Sequence, residues 1–174
     1  IKRNSTMSWF TSLFGSKTKP HKQEPTNFTL RQGKVVPVDD AYQAWTSGDL
    51  NQMLKAVSTK TNSIDRHFLL QSIVDQTYSL RNEENYRKIC IEYAEKHLQE
   101  FPSLAPDLRK KMDGIVPRVT TFQHYAIILT EDEKYEKAIS ICEKAMEYDL
   151  HDNTTSGFEG RIARIRKKAE KENA

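Results

Sequence analysis

Five histidines and two cysteines are the side chains of this chain best able to do chemistry, and their spacing decides which chemistry is open to them. His21, His67, His97, His124 and His151 stand singly. No His-x-x-x-His or His-Glu-x-x-His pair sets two ring nitrogens on one helix face, as a zinc site requires. His124 sits beside the apolar stripe of its helix, where a surface or half-buried polar role is expected. Cys90 and Cys142 fall at matching places on two helices, where close packing wants a small side chain, and they read as core thiols. Carboxylates abound, but each pair is accounted for as a helix N-terminus or a solvated face, as with Glu131, Asp132 and Glu133. The sequence holds no Gly-x-Ser-x-Gly elbow, Walker-type phosphate loop or dinucleotide fingerprint. The expectation is a protein that is not an enzyme, with no catalytic residues, no cofactor and no metal.

The sharpest local feature is Thr154-Thr155-Ser156-Gly157-Phe158-Glu159-Gly160-Arg161, which opens the last helix. Two readings fit it. Backbone N–H groups of Ser156 and Gly157, the positive end of the helix dipole and Arg161 can hold a phosphate or carboxylate. Alternatively Ser156 and Glu159 form a capping box, the glycines allow tight packing, and Phe158 anchors the loop. Glu159 competes with any anion, which favours the second reading. The helix that follows carries Arg161, Arg164, Arg166, Lys167, Lys168 and Lys171 interleaved with Ile162 and Ile165. Nucleic acid is a candidate ligand for Arg161, Arg164 and Lys168, although only Phe158 supplies a nearby stacking ring. The same pattern also suits a closing helix with its isoleucines turned inward.

At the other end, Trp9, Phe10, Leu13 and Phe14 recur at helical spacing and are followed by Lys17, Lys19 and Lys22. One such aromatic face can dip into an anionic bilayer, dock on a partner, or fold back on its own domain. The run is too short for a secretory signal and no small-residue cleavage site follows it. Residues 1–6 precede Met7 and read as upstream read-through or an expression scar, with Met7 as the natural start.

Elements must position these groups, and the chain has the length for one domain plus a tail: 174 residues, 37% of them apolar and 29% charged. Its mean hydropathy is −0.74, and no stretch approaches the roughly 18 consecutive apolar residues of a membrane span. Two cysteines argue against a disulfide scaffold and fit a reducing compartment. A cytoplasmic location is expected, with peripheral contact at the inner membrane face as an option. Charge is segregated. Residues 1–34 hold seven Lys/Arg and one Glu, residues 35–160 hold 14 basic and 21 acidic residues, and residues 161–174 hold six basic and two acidic. An acidic body therefore sits between basic ends.

Residues 1–27 read as a flexible segment and 28–38 as an extended strap, which Pro37 confines to an edge. From residue 39 to 174 the periodicity is helical and predicts about eight helices in antiparallel hairpins, an all-α fold. Asp49 with Gln52 makes a capping-box pattern at one start. Glu83 to Phe101 is expected to stop at Pro102, with a separate short helix from Leu104 to Met112.

Between Val119 and Leu150, Phe122, Tyr125, Ala126 and Leu129 are followed by Tyr135, Ala138, Ile139, Cys142, Ala145 and Met146. This pattern resembles the tetratricopeptide repeat. Its three alanines would let two backbones approach while Phe122 and Tyr135 fill the gap between them. Glu133-Lys134 replaces the usual turn of that repeat and Leu150 its closing proline. Residues 64–102 resemble a degenerate second copy, and Ala44 to Leu50 the turn of a third. A stacked α-solenoid closed by the helix Phe158–Lys171 is implied. Separately, residues 116–168 resemble a C-terminal module of uncharacterised bacterial proteins, through Val-Pro-Arg-x-x-x-Phe and Gly-Phe-Glu-Gly-Arg-Ile; this implies a bacterial or phage origin and no activity. The repeat resemblance implies a concave groove for a protein or peptide partner, lined by Arg66, Gln71, Asp75, Tyr78, Thr120, Gln123, Ile127 and Thr130. The carboxylate clamp of that family needs Lys and Asn where Gln123 and Ile127 stand, so a chaperone-tail peptide is not implied.

Overall fold

A computed structural model describes residues 27–172 apart from Gln32 and Ile115. Strands β1 (Phe28–Arg31) and β2 (Lys34–Pro37) precede α1 (Asp40–Ser47), α2 (Leu50–Ala56), α3 (Ser63–Ser79), α4 (Glu84–Lys111), α5 (Thr120–Glu131), α6 (Tyr135–Glu147) and α7 (Gly157–Glu172). The described chain is mostly helical, with one small two-stranded sheet.

Where a single extended strap is expected over 28–38, the chain instead turns back on itself. Gly33, at φ 73°, supplies the left-handed conformation that a two-residue turn needs, and Phe28 comes to lie opposite Pro37 in an antiparallel ladder. Short polar caps then set the helix starts. Asp39 accepts from the Tyr42 amide, Asp49 from the Gln52 amide, and Asn62 from the amides of Ile64 and Asp65.

Helix α4 corrects the expected stop at Pro102. It runs unbroken for 28 residues through Pro102 and Pro106. The reason lies in the apolar stripe Ala94, Leu98, Phe101, Leu104, Ala105 and Leu108, which keeps helical spacing past both prolines and is buried throughout. Each interior proline costs about 3 kcal/mol in lost hydrogen bonding and ring clash. Burying Phe101, Leu104 and Leu108 at about 1.5–3 kcal/mol apiece offsets that cost, and both proline rings face solvent. The described residues therefore hold seven helices rather than about eight.

Two apolar clusters share α3. The larger joins α3 to α7 around Phe101, Leu108, Phe122, Tyr125 and Ile128. The smaller holds α1 and α2 on α3 through Ala41, Ala44, Met53, Leu69 and Ile73. Ala126, Ala138 and Ala145 are fully buried, as are Cys90 and Cys142. Helix α3 packs on α4, α4 on α5, α5 on α6 and α6 on α7, while α3 also touches α5 directly.

Candidate functional site

The residues expected to line a groove fall into three environments. Arg66 turns to α4, where Nε and Nη2 each lie 2.7 Å from a Glu100 oxygen and Nη1 donates to the Val57 carbonyl at 2.6 Å. It belongs to the joint between α2, α3 and α4. The hydrogen bonds from Arg66 hold the Glu100 carboxyl below the usual carboxylate range.

Gln71, Asp75, Tyr78 and Thr120 form the seam between α3 and α5. The Thr120 amide donates to Gln71 Oε1 (3.2 Å) and its hydroxyl to Asp75 Oδ1 (2.5 Å), so α3 supplies acceptors for the first residue of α5. His124 Nδ1 lies 3.1 Å from the same Asp75 oxygen. The His124 ring stacks on the Tyr78 ring with centroids 3.8 Å apart and planes 6° from parallel, and the Arg81 guanidinium lies 4.1 Å from the centre of the Tyr78 ring. Gln123 is half-buried beside them, its amide oxygen without a partner among the described residues. The seam is thus spent largely on joining two helices.

Ile127 and Thr130 lie further along α5 and face α7. Together with Glu131, Arg161, Arg164, Ile165 and Lys168 they line a cleft of about 220 Å³. The fold here brings together two sets that are far apart in sequence: groove candidates of α5 and basic candidates of α7. The charges around the cleft are unequal in availability. Burial pushes the Glu131 carboxyl up, but hydrogen bonds from Arg81 and Arg87 outweigh it and hold the carboxyl below its ordinary range. Arg161 is committed to Asp152, both Nε and Nη2 reaching Oδ2 at 2.9 and 2.7 Å. Arg164 donates to the neutral Ser156 hydroxyl (2.9 Å), and Lys168 lies 3.4 Å from the Thr130 carbonyl and 3.8 Å from Glu172. The cleft has an isoleucine floor and a rim whose available charge is positive.

At the start of α7, where an anion site is the less favoured of two readings of the sequence, Arg161 is already paired inside the protein. Asp152, with a fully buried side chain, accepts from the Thr154 amide (3.0 Å) and hydroxyl (2.6 Å) as well as from Arg161. This internal carboxylate is the partner that Arg161 turns to. Ser156 lies so close over Gly160 that a Cβ there would sit 2.1 Å from its hydroxyl, which explains the second glycine of the motif. Gly157 is the first residue of α7 and packs under the His151 ring. Nothing in the residue types marked Asp152; its nine-residue offset from Arg161 crosses a loop and has no helical meaning.

Sequence spacing also missed a buried pair. His67 of α3 and His97 of α4 approach with Nδ1 and Nε2 3.0 Å apart, and His97 Nδ1 lies 2.7 Å from Thr121 Oγ1 of α5. All three are fully buried. Burial pushes His67 down to about 4 and His97 well below its ordinary value, so both rings are neutral at pH 7. Burial likewise pushes the Cys90 and Cys142 thiols up to about 11, which leaves them protonated and poorly nucleophilic. Among the described residues no three His, Cys, Asp or Glu side chains converge where a metal ion could sit. Trp9, Phe10, Leu13 and Phe14 lie outside the described residues. No protein-family model, curated protein or solved structure matches the chain.

Proposed function

We propose that this protein is a non-catalytic interaction module, in which the hairpins α3–α4 and α5–α6 stack in the manner of tetratricopeptide repeats and α7 closes the array. Its partner is an acidic peptide segment bearing apolar side chains, held in the cleft between α5 and α7. The observation that carries this reading is the cleft itself: Ile127 and Ile165 at its base, Arg164 and Lys168 at its edge, and Glu131 already neutralised by two arginines. Apolar contact supplies affinity and the basic edge selects charge and orientation. The α3–α5 seam supports the stacked arrangement, since Gln71 and Asp75 accept hydrogen bonds from Thr120 that fix one hairpin on the next.

Selection from a random peptide-display library tests the reading. Enriched peptides should carry acidic residues flanking a large apolar side chain. The Ile127→Glu and Lys168→Glu variants should each bind them at least tenfold more weakly, a cost of about 1.4 kcal/mol or more. Enrichment of basic peptides, or unchanged binding by both variants, would overturn it. A second reading, single-stranded nucleic acid on the exposed basic surface of α7, draws on Arg164, Arg166, Lys167 and Lys168. That reading requires binding that falls steeply with salt and is lost in the Arg164→Glu, Lys168→Glu double variant.

A further inference from the structure

The basic edge of the α5–α7 cleft depends on a carboxylate that is held back from it. Glu131 is the last residue of α5 and lines the same cleft as Arg164 and Lys168. Lys168 Nζ lies 3.4 Å from the carbonyl of Thr130, one residue before Glu131, so an internal acid neighbours the charges that are to meet a ligand. A carboxylate in that position is a competitor. Free to turn, it would pair with Lys168 or Arg164 and cancel the edge from within. No ion pair joins Glu131 to either of them among the described residues. Both of its oxygens are taken by the neighbouring hairpin instead. Arg81 Nε and Nη2 lie 3.1 and 3.0 Å from Oε1, and Arg87 Nη1 lies 2.9 Å from Oε2.

Each arginine has a further anchor of its own. Arg81 Nη1 donates to the Tyr78 carbonyl at 3.2 Å, and its guanidinium lies over the Tyr78 ring. Arg87 Nη2 reaches Asp132 and the Ile128 carbonyl. A planar guanidinium fixed on one side presents its remaining N–H groups in a set direction, which a flexible ammonium does not. Neither arginine lines the cleft, so neither offers its charge to an occupant. What they leave available is Arg164, whose hydrogen-bond partner is the neutral Ser156 hydroxyl, and Lys168, 3.8 Å from Glu172. That edge belongs to α7, and no helix of the described residues is long and apolar enough to cross a membrane.

We infer that Arg81 and Arg87 determine the specificity of the cleft: from the α3–α4 corner they clasp Glu131 and so keep Arg164 and Lys168 open to an acidic segment. The inference rests on the reading of the cleft as a site for acidic peptides with apolar side chains. Both arginines are positioning residues, acting through Glu131 rather than on the peptide. Because the clasp crosses from one hairpin to the next, it also couples the cleft to hairpin docking. An acidic peptide on the edge opposes the turning of Glu131 toward it, so binding and docking strengthen each other by the same factor.

The probe is the most enriched acidic peptide of the display selection, fluorescently labelled, and its affinity for the full chain is read by polarisation. Arg81→Gln should weaken binding at least threefold, and Arg81→Gln with Arg87→Gln at least tenfold, both losses shrinking as salt is raised. Adding Glu131→Gln to the double variant should restore affinity to within threefold of the unaltered chain. Glu131→Gln alone is the decisive arm. It breaks the same ion pairs, yet it removes the competitor, so binding should stay as tight as in the unaltered chain or become tighter. A merely structural clasp gives the reverse, since losing either side of it would then weaken the site. Unchanged binding by the double arginine variant, or Glu131→Gln as weak as that variant, would overturn this inference alone. A selection that enriches no acidic peptide would overturn the cleft reading and this inference with it.

Discussion

At the residue scale, the most consequential side chains are ones with no pattern in the sequence. His67 and His97 are 30 positions apart on different helices, and only the packing of α3 on α4 makes them hydrogen-bonded neighbours. Their pH dependence follows from burial. The unfolded chain takes up protons near the ordinary histidine value of 6.5, whereas folded His67 holds off until about 4. Between those limits the unfolded state binds more protons, so stability is full above about pH 6.5 and falls as pH drops toward 4. Asp75 opposes the shift at His67, while Arg66 and the neighbouring His67 ring reinforce it at His97. The shift at His67 alone corresponds to about 3 kcal/mol of stability lost across that window. Melting temperatures of the unaltered chain should fall markedly from pH 7 to pH 5, while His67→Phe, with one titrating ring removed, should show a shallower slope. An equal slope in the variant would assign the acid sensitivity elsewhere. Glu100, Glu131 and Asp152, whose carboxyls are all lowered, lose their contribution only at more acid pH, below the ordinary carboxylate range. Asp152 illustrates why site geometry was hard to read from sequence. Its role depends on a loop that folds it under Arg161, and loop closure leaves no periodic trace.

At the element scale, amphipathic spacing located most of the helices, because one buried face imposes a period that residue types reveal. Spacing located the Asp49 cap, a local matter of three residues, although the Asp49 amide donates to Ser47 Oγ and so the other half of the expected box with Gln52 is not made. It failed at Pro102, where a strong local signal was set against a long-range one. The proline rule counts the hydrogen bond lost within the helix; it does not count Leu104, Ala105 and Leu108, which find their partners in a core built by other helices. The strap at 28–38 failed for a related reason, since alternation fixes which faces residues take but not whether the strand doubles back. If tertiary burial is what carries α4 through its prolines, relieving the local penalty should stabilise the protein. Pro102→Ala restores a donor at an exposed position and is expected to raise the unfolding free energy by an amount up to about 3 kcal/mol in chemical denaturation. A destabilised variant would mean that Pro102 itself is required for packing α4 against α5.

At the scale of the whole molecule, α3 is the member common to two cores of unequal size. Its residues Leu69 and Ile73 serve the small cluster with α1 and α2, while Ile64 and Val74 serve the large one with α4 to α7. The large cluster is tied across its turns as well. Arg81 and Arg87, at the α3–α4 corner, grip Glu131 and Asp132, at the α5–α6 corner, so the two hairpins move together. No ion pair of that kind reaches α1 or α2 among the described residues; beyond single hydrogen bonds from Arg66 to the Val57 carbonyl and from Gln76 to the Gly48 carbonyl, their hold on α3 is chiefly Ala41, Ala44, Met53 and Ala56, with Trp45 stacked on Phe68 and bound to Asp65. Cooperative opening should therefore begin at this end. Met53→Ala removes the largest fully buried side chain that α1 and α2 contribute, a change that costs about 2–5 kcal/mol at a rigid site. Hydrogen exchange should then show α1 and α2 losing protection while α5, α6 and α7 keep theirs. The hairpin that rides on Asp65 should loosen with α1, because Trp45 and Arg31 share that one carboxylate. Uniform loss of protection along the chain would instead mean that α3 transmits strain from the small core into the large one, so that the molecule unfolds as a single unit.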